Sequence, residues 1–115
     1  MRHALTAMVA AAFLAGPAAA QDAAANDFPT EARADYVFAC MAVNGQTREV
    51  LRRCSCSLDV VASILTYDQY VAAETVLSML QMAGERAGAM RSAPMATEAV
   101  RDLRRAQAEG DLRCF

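Results

Sequence analysis

The sequence predicts an all-α protein, a small four-helix bundle with two disulfides. Apolar residues after position 30 recur at intervals of three and four, as on amphipathic helices, and no stretch alternates as a half-buried strand does. Capping residues and glycines divide this pattern into segments of helical length. Four cysteines lie in the same small region, which favours disulfide cross-links if the chain is exported.

The amino-terminal segment has the pattern of a secretory signal. "MRHALTAMVAAAFLAGPAAA" has an early arginine, an apolar run of about a dozen residues and a cleavage site made of small residues. The run is too short for a transmembrane helix, which takes roughly 20 apolar residues. We therefore expect a signal peptide over 1–20, a mobile leader over 21–29 and a disulfide-cross-linked helical domain over 30–115. The expected location is periplasmic or secreted.

Charge and composition exclude several classes of function. Removal of Arg2 with the signal would leave ten arginines against thirteen carboxylates, a balance that argues against nucleic acid and against anionic membranes as partners. His3 is the single histidine. Its loss would leave no imidazole for a Ser-His or Cys-His nucleophile pair or for a histidine-ligated zinc site. We expect no enzymatic activity, no cofactor and no membrane insertion after signal cleavage.

The first two helices are predicted to form a hairpin. The first spans 31–43, with Thr30 as its cap and Gly45 ending it in a left-handed conformation. The second spans 48–65, and serines around Cys56 leave open a break there. The apolar stripe of the second helix consists of Leu51, Cys54, Leu58, Val61 and Leu65.

The third predicted helix spans 67–83 and starts with a capping box formed by Thr66 and Gln69. Apolar residues cover so much of its circumference that we expect it to be central in the bundle or to dock a partner. The candidate partner surface consists of Tyr67, Tyr70, Val71, Met79 and Met82.

The last predicted helix is capped by Ser92 or Thr97 and runs to Glu109. Gly110 is expected to end it, because glycine is the residue most often found just past the last turn of a helix. The tail after Gly110 would then bring Cys114 back to the body of the domain.

The four cysteines allow three pairings. A Cys54–Cys56 bond is unfavourable, because side chains two residues apart on a helix point about 200° away from each other. In an antiparallel hairpin, positions equidistant from the turn meet, which brings Cys40 to Cys54 and leaves Cys56 for Cys114. Geometry thus favours Cys40–Cys54 with Cys56–Cys114, and Cys40–Cys56 with Cys54–Cys114 remains the alternative.

Three functions are compatible with these features. The first is an exported, non-catalytic accessory module that contacts another periplasmic protein, whose identity the sequence does not give. The second is a periplasmic Cu(I) carrier, because Cu(I) prefers soft sulfur ligands. Its candidate ligands are Cys54, Cys56, Met79 and Met82. The third is a small helical stress chaperone that exposes apolar surface at extreme pH.

One stretch has a resemblance to a known group of proteins. The run "YVFACMAVNGQTREVLRRCSCSLDVVASILTYDQYVAAET", residues 36–75, and the final "CF" resemble small secreted four-cysteine proteins of Gram-negative bacteria. Some of these are associated with quinoprotein alcohol-oxidation systems. The resemblance implies an accessory role in the periplasm, and it transfers no site residue.

Overall fold

A computed structural model describes residues 27–82 and 84–115. Over these residues the chain forms helices and no strand, so the predicted all-α class is confirmed. The helices number five in this part of the chain, where four were predicted. They are α1 (Thr30–Asn44), α2 (Arg48–Ile64), α3 (Tyr67–Leu80), α4 (Glu85–Ser92) and α5 (Pro94–Cys114). The predicted signal peptide and the leader up to residue 26 lie outside the described residues.

The carboxy-terminal half differs from the prediction in two ways. A short α4 lies between α3 and α5, and its Ala87 is buried. The last helix is not capped by Ser92 or Thr97; it starts at Pro94, whose fixed φ suits the first turn and whose missing N–H would have no partner there. Gly110 does not end α5, which continues to Cys114.

The core is enclosed by α2, α3 and α5, with the most extensive packing between α2 and α5. Its fully buried cluster consists of Val61, Leu65, Ala73, Leu103 and Ala106. Half-buried side chains, including Tyr36 of α1 and Tyr70 of α3, pack against this cluster. No residue of α1 is fully buried, so α1 lies on the outside of the core.

Two of the first three helices start with a side-chain cap. The Thr47 side chain accepts a hydrogen bond from a backbone N–H in the first turn of α2, at 3.1 Å. Thr66 and Gln69 form both halves of the predicted capping box of α3. The predicted Thr30 cap is wrong, because the helix already includes Thr30 and follows Pro29, which has no side chain able to accept a hydrogen bond.

Both disulfides follow the favoured pairing. Cys40–Cys54 joins α1 to α2 and Cys56–Cys114 joins α2 to the end of α5, with Cα–Cα distances of 5.9 and 5.8 Å. The two bonds leave opposite sides of α2, which runs without a break through Cys56. Disulfides of this kind are typical of proteins in an oxidising compartment outside the cytoplasm.

The packed part of the chain begins three residues before α1. Phe28 is buried against the rings of Tyr67 and Tyr70, with centroid distances of 5.4 and 5.1 Å. The Tyr67 backbone N–H donates to the carboxylate of Asp27 at 3.0 Å. The segment before α1 is therefore fixed to the start of α3. None of the described helices has the length and apolar character needed to cross a membrane.

Candidate functional site

The candidate functional site is a groove on the outer side of the α1–α2 hairpin. The two helices run antiparallel on either side of a short turn, in which Gly45 has a φ of 114°, a conformation that favours glycine. The Cys40–Cys54 bond holds the helices together on the inner side. The opposite side faces solvent, because among the described residues only α1 and α2 line it.

The groove has a volume of about 540 Å³ and is lined mostly by apolar side chains. Those from α1 are Ala34, Val37, Phe38 and Met41, and those from α2 include Leu51 and Leu58. The ring of Phe38 is 72% exposed, whereas Leu58 is 2% exposed. Leu58 thus forms a buried floor, and Phe38 forms an open wall that water contacts.

Helix periodicity explains why these side chains meet. Ala34, Phe38 and Met41 are spaced by four and three residues, which places them on one face of α1. Leu51 and Leu58 lie two turns apart on the facing side of α2, with Ser55 between them. The Ser55 hydroxyl donates to the backbone carbonyl of Leu51 at 2.7 Å, so the polar atom between the leucines is already hydrogen-bonded.

One end of the groove is closed by an ion pair between Arg33 of α1 and Asp59 of α2, at 2.7 Å. The two charges neutralise each other, so this end of the groove carries no net charge of its own. Glu31, also in the first turn of α1, lines a separate cavity beside α3.

The other end, near the turn, is basic. Arg48 and Arg52 precede Ser55 and Asp59 at helical spacing, so the four side chains form one line along the α2 wall. Both arginines are exposed, and neither pairs with a carboxylate in the described part of the chain. Arg53, on another face of α2, does pair with Glu49, at 3.1 Å.

A second cavity region lies between α1 and α3 and combines tyrosines with carboxylates. Asp35, Tyr70 and Glu74 line two adjoining cavities there, of about 550 and 360 Å³. Burial raises the pKa of Tyr70 to about 12, with further contributions from the charge of Glu74 and its neighbours. Burial likewise raises the pKa of Glu74; Arg104 opposes this shift and Asp35 adds to it. These groups are perturbed mainly because they are half-buried against the aromatic cluster.

The structure separates the predicted partner surface into two parts. Tyr67 and Tyr70 pack with Phe28 in the aromatic cluster, where they help to hold the segment before α1. Val71 is an exposed residue of α3, and Met82 follows the end of that helix and is 55% exposed. Met79 is half-buried. The aromatic cluster thus occupies Tyr67 and Tyr70, while Val71 and Met82 are open to solvent.

The two cysteines among the four candidate copper ligands are not free thiols. Cys54 and Cys56 are both in disulfides, so neither offers a thiolate unless the bonds are reduced. Met79 lies in the last turn of α3, and Met82 follows the end of that helix. Within the described ranges, no group of three or more His, Cys, Asp or Glu side chains is arranged to hold a metal ion.

Comparisons of the chain with protein-family models, with curated proteins and with solved structures give no match. The resemblance to secreted four-cysteine proteins therefore stays a prediction. Among the described residues, the α1–α2 groove combines a large volume with a mostly apolar lining, and it is the candidate site on that ground.

Sequence reasoning missed Phe38, the most exposed apolar side chain of the groove. A signal for it was present, because all six residues of α1 from Tyr36 to Met41 are hydrophobic. Such a helix is apolar on more of its circumference than a single core contact can cover. The surplus face, which carries Phe38, forms the groove wall.

Proposed function

We propose that this protein is an exported, non-catalytic binding module, which docks a helical segment of another exported protein in the α1–α2 groove. The observation that carries the proposal is the exposed ring of Phe38 beside a groove with an apolar floor. Single exposed apolar residues are common on protein surfaces, whereas a contiguous apolar concavity marks an interaction site. Full burial of one such side chain contributes about 1.5–3 kcal/mol.

The groove suits a helix in size and in rigidity. From Thr30 to Met41 its α1 wall is about 17 Å long, at 1.5 Å per helical residue, or about three turns. A docked helix of this length presents apolar anchors at positions i, i+3 or i+4, and i+7. The Cys40–Cys54 bond fixes the spacing of the two walls before binding, so little ordering is needed when the partner arrives.

The polar groups of the groove favour binding over catalysis. Arg33 and Asp59 are paired with each other, and the Ser55 hydroxyl donates to a backbone carbonyl. A serine nucleophile needs an adjacent general base, and the carboxylate nearest to Ser55 in the groove lining, that of Asp59, is held by Arg33. These side chains are suited to orienting a partner at the rim of the groove.

Site-specific photo-cross-linking in the native periplasm tests the proposal. A photoreactive phenylalanine analogue is placed at Phe38 or, as a matched control, at Val43. Val43 is 85% exposed on the same helix, outside the groove. We expect a defined adduct from position 38 and none from position 43. The cross-linked protein is identified by mass spectrometry, and its binding is then reconstituted from purified components.

In the reconstituted complex, Phe38→Ser should weaken binding at least about tenfold, since a buried phenylalanine contributes more than 1.4 kcal/mol. Val43→Ser should bind as the unaltered protein does. Both variants should melt at the unaltered temperature, because both side chains are exposed. Equal adducts at the two positions, or full affinity in Phe38→Ser, would refute the proposed function.

A further inference from the structure

We infer that the docked segment is an amphipathic helix that places acidic side chains beside Arg48 and Arg52. This inference rests on the proposed function and adds the charge pattern of the partner. The apolar stripe of the helix would lie on Phe38 and Leu58, and its acidic end would lie nearest the α1–α2 turn. Two unpaired positive charges at one end of the groove, with a neutral pair at the other, would fix which way the partner lies.

The basic end of the groove has two arginine side chains that form no ion pair within the described part of the chain. Arg53 contrasts with them, because it pairs with Glu49 at 3.1 Å and lies over the ring of Phe115 at 5.9 Å. Arg48 and Arg52 have no such contacts, and they continue the line of groove-wall residues along α2. Two unpaired guanidinium groups, one turn apart, match a pair of carboxylates spaced by one helical turn.

The opposite end of the groove is neutral, because Arg33 and Asp59 pair with each other there. A partner helix with glutamates or aspartates at one end only therefore complements the groove in one orientation. In the reversed orientation its carboxylates would lie far from Arg48 and Arg52. Charge patterns at the rim of an interface act in this way, by selecting partners and fixing register.

Other occupants fit these charges less well. A uniformly apolar segment would leave both arginines without partners, and a basic segment would be repelled by them. A second copy of this chain is the other candidate occupant. Phe38 and the groove lie on the same face, so the Phe38 of one copy could enter the groove of another. Self-association through this face is therefore measured as one of the outcomes of the test.

The test uses the purified, disulfide-intact protein and fluorescently labelled, hydrocarbon-stapled peptides of about four helical turns. All peptides share one leucine stripe and carry two glutamates, two glutamines or two lysines at one end. Each set is made with the charges in the first turn and in the last turn, because the inference concerns charge position and not chain direction. Binding is followed by fluorescence anisotropy at low and at high salt.

We expect the better glutamate peptide to bind about tenfold more tightly than its lysine counterpart at low salt, with the difference shrinking as salt screens the charges. Arg48→Gln with Arg52→Gln should abolish this difference. Arg53→Gln, on another face of α2, should preserve it. Phe38→Ser should weaken every peptide in the set.

The failures of the two proposals are distinguishable. Equal binding of glutamate, glutamine and lysine peptides, still dependent on Phe38, would overturn the charge inference and leave the groove function intact. Peptides that do not bind, or that bind Phe38→Ser equally well, would overturn both. A dimer in sedimentation velocity that Phe38→Ser dissociates and that peptides do not displace would assign the groove to a second copy and overturn the inference.

Discussion

Gly110 of α5 packs directly on Ser57 of α2, so closely that a Cβ at position 110 would lie 2.5 Å from Ser57 Oγ. The same Cβ would lie 3.1 Å from the Ser57 carbonyl oxygen, so the contact involves backbone as well as side chain. Ser57 is buried, and its Oγ lies 3.3 Å from the Tyr36 hydroxyl. This serine therefore joins α1, α2 and α5 next to the Cys56–Cys114 bond.

Replacement of Gly110 by alanine should destabilise the protein. The added methyl group meets buried backbone, and such overpacking costs about 1–3 kcal/mol. The cost should outweigh the gain of roughly 1 kcal/mol that alanine brings to a helix interior. Urea denaturation should show a lower free energy of unfolding for Gly110→Ala.

Gly88 provides the matched control. It is also helical, but a Cβ there would meet no atom within 4 Å. Gly88→Ala should therefore stabilise the protein by up to about 1 kcal/mol. A similar gain in Gly110→Ala would show that α5 does not approach α2 as closely as described.

The contact between Tyr36 and Ser57 should contribute measurable stability. Tyr36→Phe removes the hydroxyl within 3.3 Å of the buried Ser57 Oγ, and we expect a loss of about 0.5–1.5 kcal/mol. Tyr67→Phe is the control, because the Tyr67 hydroxyl has no hydrogen bond within the described residues. Equal unfolding free energies for the two variants, measured by chemical denaturation, would contradict the role of this contact.

Removal of the Cys56–Cys114 disulfide should cost about 4 kcal/mol, since it closes a loop of 58 residues. For a domain of this size such a loss is comparable to the whole stability. The double variant Cys56→Ser with Cys114→Ser should also lose amide protection after Gly110, as measured by hydrogen exchange.

Breaking the Cys40–Cys54 bond instead is the control for position. The Cys40→Ala, Cys54→Ala variant should leave the carboxy-terminal amides more protected than the first variant does, because this bond joins α1 and α2 only. Equal loss of protection in both variants would mean that the second disulfide does not specifically hold the end of α5.

Glu74 should reduce stability at neutral pH. Burial raises the pKa of this carboxyl in the folded state, so the folded protein binds its proton more tightly than the unfolded chain does. The stability that this difference contributes is fully present below the pKa of Glu74 in the unfolded chain. It is lost as the pH rises through the pKa of Glu74 in the folded protein. Glu74→Gln should therefore melt at a higher temperature at pH 7, with the gain fading below about pH 4.5.

Glu98→Gln is the matched control for that experiment. Glu98 is exposed and pairs with Arg101 at 3.4 Å, so its removal should not stabilise the protein at any pH. The same gain at pH 7 in both variants would point to the net negative charge of the protein and not to the buried position of Glu74.

Tyr70 should ionise only in strong alkali. Burial raises its pKa to about 12, so stability should fall as pH rises from about 10 through about 12, where the unfolded chain releases this proton more readily. An absorbance titration at phenolate wavelengths should show this late step, and Tyr70→Phe should reduce its amplitude. Burial also raises the pKa of Tyr36, which accounts for the late titration that remains. An unchanged step in Tyr70→Phe, together with its loss in Tyr67→Phe, would show that the step belongs to Tyr67 and not to Tyr70.

Local chemistry was sufficient for much of the fold. The capping box at Thr66 is encoded within four residues, so the start of α3 could be read without tertiary information. The disulfide pairing followed from two local facts: the angle between Cys54 and Cys56 on a helix, and the hairpin around Gly45. The groove residues of α1 were visible as surplus apolar positions, although their exposure was not.

The sequence by itself determined the helical class, the ends of α2, the start of α3 and the cysteine partners, because these depend on spacing along one or two adjacent helices. Only the tertiary structure decided that α5 continues through Gly110. Glycine is needed at this position because α5 packs closely on Ser57, which is far away in sequence. The exposure of Phe38 and the burial of Tyr70 were decided in the same way. Both depend on which face of each helix is covered by other helices in the folded chain. The pattern of residues along a single helix does not determine this.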